Sequence, residues 1–253
     1  MTISTRDWLT FVNRLSSLST RAALELRRWV NAQGGLLNIE RQTLIDYVFG
    51  LATKYGEGSS ALAAAWYDAV AEASGQLLPP AEPAPTATYA ETAKAVNGVL
   101  MTSQNEEVLS GAVGRLVKLP GVDTTLNNAI RDGAEVAWIP SGDTCAFCIA
   151  LASRGWQTAS RKLVKNGHAE HVHANCDCTF QVRYDDSFRV AGYDPARYRA
   201  MYDAAEGRSS QDKINAMRRE IYAENREEIN AQKRSAYAKR MELNSSRAEE
   251  AEV

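Results

Sequence analysis

The sequence lacks the features that mark membrane, secreted and nucleic-acid-binding proteins. Although 45% of its 253 residues are hydrophobic, no apolar run reaches the ~18 residues that a membrane-spanning helix needs. The first residues, MTISTRDWLTF, contain no basic stretch followed by an apolar one, which a secretory signal peptide would have. A formal net charge of -2 leaves no surplus of cations to neutralise phosphates. These absences favour a soluble globular protein whose partners are other proteins.

The first 76 residues are predicted to be helical. In RDWLTFVNRLSSLSTRAALELRRWV, apolar side chains recur at three- and four-residue steps, which places them on one face of a helix. Ser4 or Thr5 can cap its start, and the pair Gly34-Gly35 should end it, because glycine readily takes the left-handed conformation that closes a helix. Two further helices are expected at residues 40–54 and 59–74, separated by YGEGSS.

A row of arginines follows one face of the first predicted helix. Arg14, Arg21 and Arg28 are seven residues apart, so they point in nearly the same direction. Charge rows on helices usually meet solvent, and the alternative is an acidic docking partner.

The segment LLPPAEPAPTAT holds four of the seven prolines and is predicted to be a linker at residues 77–88. Proline fixes its own φ and has no backbone N–H, so the segment should be extended. Beyond it, helices are expected at residues 89–101 and 105–117, and a third that begins at Asp123 or Thr124 and ends at Arg131.

Two short strands are predicted after these helices, in AEVAWIP and in TFQVRY, where apolar and other side chains alternate. Between them, TCAFCIALASR is predicted to be a short helix, with Ser141 or Asp143 as its N-cap and Gly155 after its end. The expected fold is therefore mainly α with a small β-hairpin, of the α+β class.

All four cysteines and all three histidines fall within the 34 residues from Cys145 to Cys178, between the two predicted strands. Cys145 and Cys148 are three residues apart at the positive end of the short helix, which favours thiolates. His173 and Cys176 form a second close pair, and 24 residues separate Cys148 from His173. Two close ligand pairs separated by a loop are typical of a structural zinc site, and a sulfur-rich set with one imidazole suits Zn²⁺.

Several alternatives remain for this cluster. Cys178 either packs beside Phe180 as a small buried apolar residue or replaces His173 as the fourth ligand. His168 and His171 are interpreted as surface residues or as residues that orient a ligand. A pair of disulfides is the alternative to a metal, but disulfides would not account for the histidines in the same stretch.

A catalytic zinc is the alternative to a structural one. Zinc deaminases have His-x-Glu followed by Pro-Cys-x2-Cys, whereas here TCAFC precedes HAE at residues 168–170 and lacks the proline. Four protein ligands leave no open position for water. The protein is therefore interpreted as a non-enzyme with no catalytic residues.

The stretch WIPSGDTCAFCIALASRGW, followed by HVHANCDC, resembles the signature of the head-morphogenesis or minor head proteins of tailed bacteriophages, the Mu F-like group. The resemblance implies a minor capsid protein of the virion that associates with the portal protein and other capsid proteins, contacts packaged DNA, and acts in head assembly or DNA delivery. It implies a head-morphogenesis domain at residues 89–190, with a zinc module at 138–184. The metal-type residues of the family fall on five positions: Cys145, Cys148, His173, Cys176 and Cys178. The chain departs from the family in having Ala174 where proline is common and Asp177 where arginine is common.

Residues 191–253 are predicted to form a C-terminal helical extension. Ile214, Met217, Ile221 and Ile229 keep helical spacing among charged residues, and from Glu206 onward ten basic residues balance ten acidic ones. This balance excludes a basic arm for DNA and favours a helix that binds a protein partner. Besides the phage structural protein, two function classes are kept: a zinc enzyme of the deaminase or toxin type, and a zinc-containing nucleic-acid adaptor, which would need a basic face.

Overall fold

The computed structural model describes residues 2–141, 144–165, 168–169, 176–228, 230–231, 233–235 and 237. These residues are mostly helical and their strands are short, which confirms a mainly α fold with a small β component. The helices are α1 (Thr5–Ala32), α2 (Arg41–Ala73), α3 (Tyr89–Thr102), α4 (Glu106–Asp132), α5 (Ala146–Ala152), α6 (Pro195–Ala204) and α7 (Ser210–Glu224). The strands are β1 (Thr2–Ile3), β2 (Glu135–Ile139), β3 (Gln157–Thr158), β4 (Val164–Lys165), β5 (His168–Ala169), β6 (Thr179–Arg183) and β7 (Arg189–Val190).

The first helix forms as its sequence predicts. The Ser4 side chain accepts a hydrogen bond from the backbone N–H of Asp7, and Gly34 and Gly35 follow the end of the helix with φ of 80° and 112°. Its apolar face is buried against α2 and α4: Trp8, Phe11, Val12, Leu15, Ala22, Leu26 and Val30.

The second helix is one continuous element, and the prediction of two helices on either side of YGEGSS was wrong. Gly56 and Gly58 lie where other parts of the chain approach the helix, whereas Gly50 has no such neighbour within 4 Å. A Cβ on Gly56 would lie 3.0 Å from Cγ2 of Thr86 and 3.4 Å from Cγ of Pro120, and one on Gly58 would lie 3.5 Å from a methyl group of Leu18. These glycines permit close packing within a helix whose flanking turns are buried.

Helix α4 is also continuous, although the sequence predicted one helix ending at Val117 and another beginning at Asp123 or Thr124. Pro120 lies inside it. A proline in a helix interior costs about 3 kcal/mol, whereas each buried Leu or Val side chain contributes about 1.5–3 kcal/mol. Burial on both sides of the proline outweighs its penalty: Leu116, Leu119, Val122 and Leu126 are all buried.

The proline-rich segment is non-helical, as predicted, and it is bonded along its length to α2 and α4. The backbone N–H of Ala81 donates to Oδ1 of Asp68 at 2.8 Å, and that of Ala84 donates to Oγ1 of Thr124 at 2.9 Å. The side chain of Asn128 both accepts from and donates to the backbone of Glu82. The division of the chain into four regions stays a prediction.

The two predicted strands are confirmed as β2 and β6, which pair antiparallel with β2 in the centre of a three-stranded sheet. Trp138 lies opposite Phe180, and their rings meet edge-on with centroids 5.0 Å apart. The side chain of Gln181, fully buried, accepts a hydrogen bond from Nε1 of Trp66 at 2.8 Å. This bond joins the sheet to α2.

Helices α5, α6 and α7 enclose a small separate core. Ile214 and Met217 of α7 are buried against Ile149 and Ala150 of α5. The first part of the predicted apolar stripe, at Ile214 and Met217, therefore packs against α5 of the same chain. Ile229 lies outside the described residues. Within the described part of the chain, no helix is long and apolar enough to cross a membrane.

Candidate metal centre

Three cysteine sulfurs from two distant segments converge in the structure. The ligand atoms of Cys148, Cys176 and Cys178 all lie within 4.8 Å of one another. The sulfurs of Cys148 and Cys176 are 3.3 Å apart. Cys148 and Cys178 are buried and Cys176 is half-buried. These three cysteines could hold a metal ion.

The strand register explains this convergence. The last pair of the β2–β6 ladder joins Ile139 to Thr179, so the chain leaves β2 beside the point where Cys178 leads into β6. Six residues separate the end of β2 from the start of α5, which packs back on that strand and brings Cys148 of its first turn over the same point. The pairing of β2 with β6 therefore carries the two cysteine segments together.

Cys145 occupies the N-cap of α5, with no side-chain capping bond. The prediction of Ser141 as the cap was wrong, and the other predicted cap, Asp143, lies outside the described residues. Cys145 is exposed, and its side chain hydrogen-bonds to that of Cys148. The cap position keeps Cys145 beside the three clustered cysteines.

The sulfurs are crowded by one another in a buried position. Hydrogen bonds with Cys145, Cys176 and Cys178, together with burial, raise the pKa of the Cys148 thiol. The pKa of Cys178 is about 12: its bond with Cys148 lowers the value, but its bond with Cys176 and its burial raise it further. The backbone N–H of Cys178 donates to the sulfur of Cys176 at 3.4 Å, which favours a thiolate there. A bound cation would relieve the repulsion between neighbouring thiolates.

The spacing of the sulfurs fits a tetrahedral thiolate site. Zinc binds thiolates at about 2.3 Å in tetrahedral geometry, which places two ligand sulfurs about 3.8 Å apart. The 3.3 Å between Cys148 and Cys176 and the 4.8 Å limit for the whole cluster bracket this value. Soft sulfur donors suit zinc better than magnesium or calcium.

The predicted site residues thus have three outcomes. Cys148 and Cys176 are brought together as predicted, and Cys178, the alternative ligand, joins them. Cys145 lies beside them. His173 and His171 lie outside the described residues, so His173 as a ligand stays a prediction.

His168 is bound by two carboxylates instead of lying beside the sulfurs. Its Nδ1 is 2.6 Å from Oδ2 of Asp123, and its Nε2 is 2.7 Å from Oε1 of Glu91. Burial lowers the pKa of His168, but the two carboxylates raise it further, so the net shift is upward. Desolvation raises the pKa of Glu91, yet hydrogen bonds to Thr88 and His168 bring the net value below normal. The pKa of Asp123 rises because the carboxyl is buried.

The sequence offered no signal for this arrangement. Asp123 was expected to begin a helix, and it instead lies in the middle of α4 with its side chain buried. Glu91 belongs to the first turn of α3, where Thr88 and Glu91 form a capping box. His168 therefore fastens the β4–β5 hairpin to α3 and α4.

A buried lysine approaches the cysteine segment from the other side. Nζ of Lys118, on α4, lies 3.6 Å from Oδ1 of Asp177, which separates Cys176 from Cys178. Only 9% of the Lys118 side chain is exposed. Asp177, where the resembling family commonly has arginine, thus has a cationic partner of its own.

The comparison with known proteins gives one family. A family model described as "VG15 protein" matches residues 2–205, a range that includes the described helices and strands from β1 to α6, while α7 follows it. No curated protein and no solved structure gives a significant match. The metal centre lies inside the matched range.

Proposed function

Because the chain belongs to the VG15 protein family, a viral protein family, we propose that it is a structural protein of a phage particle whose fold is fastened by a zinc ion. The observation that carries this proposal is the convergence of Cys148 with Cys176 and Cys178, which follow it by 28 and 30 residues in sequence. A metal ion bound by sulfurs placed in this way would connect the two segments of the chain.

The burial of the cluster favours a structural role for the ion over a catalytic one. Cys148 is fully buried and Cys178 is 2% exposed. A catalytic zinc needs an open position that water and substrate reach, whereas a structural site is closed by four protein ligands. Cys145 or His173 would supply the fourth ligand. We therefore propose a closed site and no enzymatic activity.

The ion, when bound, would supply the charge that keeps the cysteines as thiolates. The residues around it set the position of the site: the β2–β6 ladder places Cys178, α5 places Cys148, and Lys118 holds Asp177. The ion would thereby link α5 to the start of β6 and add stability that a pair of short strands alone does not provide.

The finer assignment is a minor capsid protein of the head-morphogenesis type. The segments WIPSGDTCAFCIALASRGW and HVHANCDC, which resemble that family, contain the cysteines of the cluster. Membership of a viral family agrees with this resemblance. The proposed partners are the portal protein and other capsid proteins, the proposed location is the virion, and the proposed role is head assembly or DNA delivery.

Purified phage particles provide the test. Quantitative mass spectrometry should detect this chain in intact particles in few copies relative to the major capsid protein, and cross-linking should join it to the portal protein. A minor capsid protein must also remain with particles after banding in a density gradient. Absence of the chain from banded particles that contain portal protein would refute the proposal.

A further inference from the structure

Helix α1 carries a face on which the exposed charges have one sign. This arginine face consists of Arg6, Arg14, Arg21 and Arg28, with Thr10 and Asn13 between them, all exposed. At 100° per residue, Arg14, Arg21 and Arg28 lie within about 40° of one another around the helix axis. Within the described chain, none of the four guanidinium groups is part of an ion pair.

The carboxylates of α1 do not neutralise this face. The helix has five arginines and two acidic residues, Asp7 and Glu25. Asp7 accepts a hydrogen bond from the Ser4 hydroxyl at the N-terminus of the helix. Glu25 is turned toward α2, where it binds Lys54 at 3.0 Å and Tyr55 at 2.7 Å. The net charge of -2 for the whole chain therefore conceals a local cationic surface.

The exposed charges of helix α7 differ in sign pattern from those of the arginine face. Its exposed positions mix both signs, with Arg218 and Arg219 beside Glu220 and Asp212. Mixed charges of this kind are expected where a helix meets only water. The single sign on α1 instead points to an anionic partner.

We propose that the arginine face of α1 binds the phosphates of duplex nucleic acid. The face is long, since Arg6 and Arg28 are 22 residues apart, which is about 33 Å of helix. One turn of duplex DNA spans about 34 Å, so both ends of the face can meet the same strand edge one turn apart. Arginine, threonine and asparagine are side chains that commonly contact phosphates.

An acidic protein surface fits this face less well. Protein interfaces usually have large apolar or aromatic anchors at their centre. On and beside this face of α1, the exposed large apolar side chains are aliphatic: Leu24, at 46%, and Leu9, at 43%. Phosphate contacts need no such anchor, because their affinity comes from the release of counterions.

The test measures binding of the full-length protein to a fluorescent DNA duplex of about 30 base pairs by anisotropy, over a range of salt concentrations. The triple variant Arg14→Gln, Arg21→Gln, Arg28→Gln removes three charges of the face. The matched control is Arg199→Gln, Arg218→Gln, Arg219→Gln, which removes three exposed charges from α6 and α7. Circular dichroism and metal content of each variant show whether the fold and the zinc centre are intact.

We expect the parent protein to bind two duplexes of unrelated sequence equally. In the α1 variant, affinity at low salt should fall about tenfold or more, and the slope of log K against log salt should fall by about 2.7, since each phosphate contact contributes about 0.9. The control variant should stay near the parent. Equal losses in both variants, or no binding by the parent at about 50 mM salt, would overturn the proposal. Polyglutamate that competes as well as DNA at equal charge would also overturn it, in favour of an acidic protein partner.

Discussion

The sulfur of Cys148 lies 3.3 Å from the sulfur of Cys176, although 28 residues separate the two in sequence. One sulfur is held by α5 and the other by the segment that enters β6. Any change that shifts α5 relative to the β2–β6 ladder should therefore disturb the cluster, and the first prediction uses this dependence.

Met217→Ala should destabilise the protein and weaken metal retention. Met217 is buried against α5, so its loss leaves a cavity under the helix that carries Cys148. Truncation of a buried Met to Ala costs about 2–5 kcal/mol. Met201→Ala is the matched control, because Met201 is 42% exposed. Urea denaturation and zinc release to a chromophoric chelator measure both effects, and equal release from the two variants would contradict the coupling.

Gly121→Ala should destabilise the helical bundle. A Cβ at this position would lie 2.5 Å from Oγ of Ser59 and 3.0 Å from its backbone oxygen, so α2 and α4 would have to separate. Overpacking of this kind costs about 1–3 kcal/mol.

Gly98→Ala, in α3, provides the control for this prediction. A Cβ there meets no atom within 4 Å, so alanine should stabilise the helix by about 0.5–1 kcal/mol. Thermal unfolding should therefore move in opposite directions in the two variants. An unfolding temperature of Gly121→Ala equal to or above that of the parent would contradict a tight α2–α4 contact.

His168→Gln should destabilise the protein more at pH 6 than at pH 9. The pKa of His168 is raised in the folded state, so its stabilisation is complete below the ordinary value of 6.5 and is lost as the pH rises through the folded value. The pKa of Glu91 is lowered, so its contribution is lost only on acidification, well below pH 6. Bonds to charged groups of this kind contribute about 1.5–3 kcal/mol.

Urea denaturation of parent and variant at the two pH values measures the difference. Lys162→Gln, which changes an exposed cation before the same hairpin, is the control and should show little pH dependence. A difference between parent and His168→Gln that grows with pH would contradict a protonated His168.

Truncation after Glu224 separates the proposed partner contact from the fold. Removal of the chain from Ser209 would also remove Ile214 and Met217 from the α5 core, so loss of a partner would have no clear meaning. A chain that ends at Glu224 keeps α7 and should keep its zinc. We expect it to lose co-purification with the portal protein. Full retention of the portal protein would place the contact elsewhere.

Local patterns predicted much of the fold. The period of apolar residues identified α1, and alternation identified β2 and β6. The segment YGEGSS and residues 118–122, which include Pro120, were each predicted to separate two helices. In the structure, close contacts at Gly56 and burial around Pro120 outweigh the unfavourable helix preferences of glycine and proline.

The sequence predicted which residue types form the site better than it predicted how those residues are arranged. The spacing of the cysteines and histidines indicated a metal, but the role of Cys178 depended on where β6 begins, which alternation fixes only to within a residue or two. The Glu91–His168–Asp123 contacts join residues far apart in sequence. Only the packing of α3 on α4 brings the two carboxylates to the hairpin, and no local pattern encodes it.

The metal content of the purified protein tests the central claim most directly. We predict one zinc per chain in the parent and loss of zinc in Cys178→Ser, because Cys178 is one of the three clustered sulfurs. Ala200→Ser, which adds a hydroxyl at an exposed position of α6, serves as the control and should retain its zinc. Parent protein purified under reducing conditions without metal, or full zinc content in Cys178→Ser, would contradict the account.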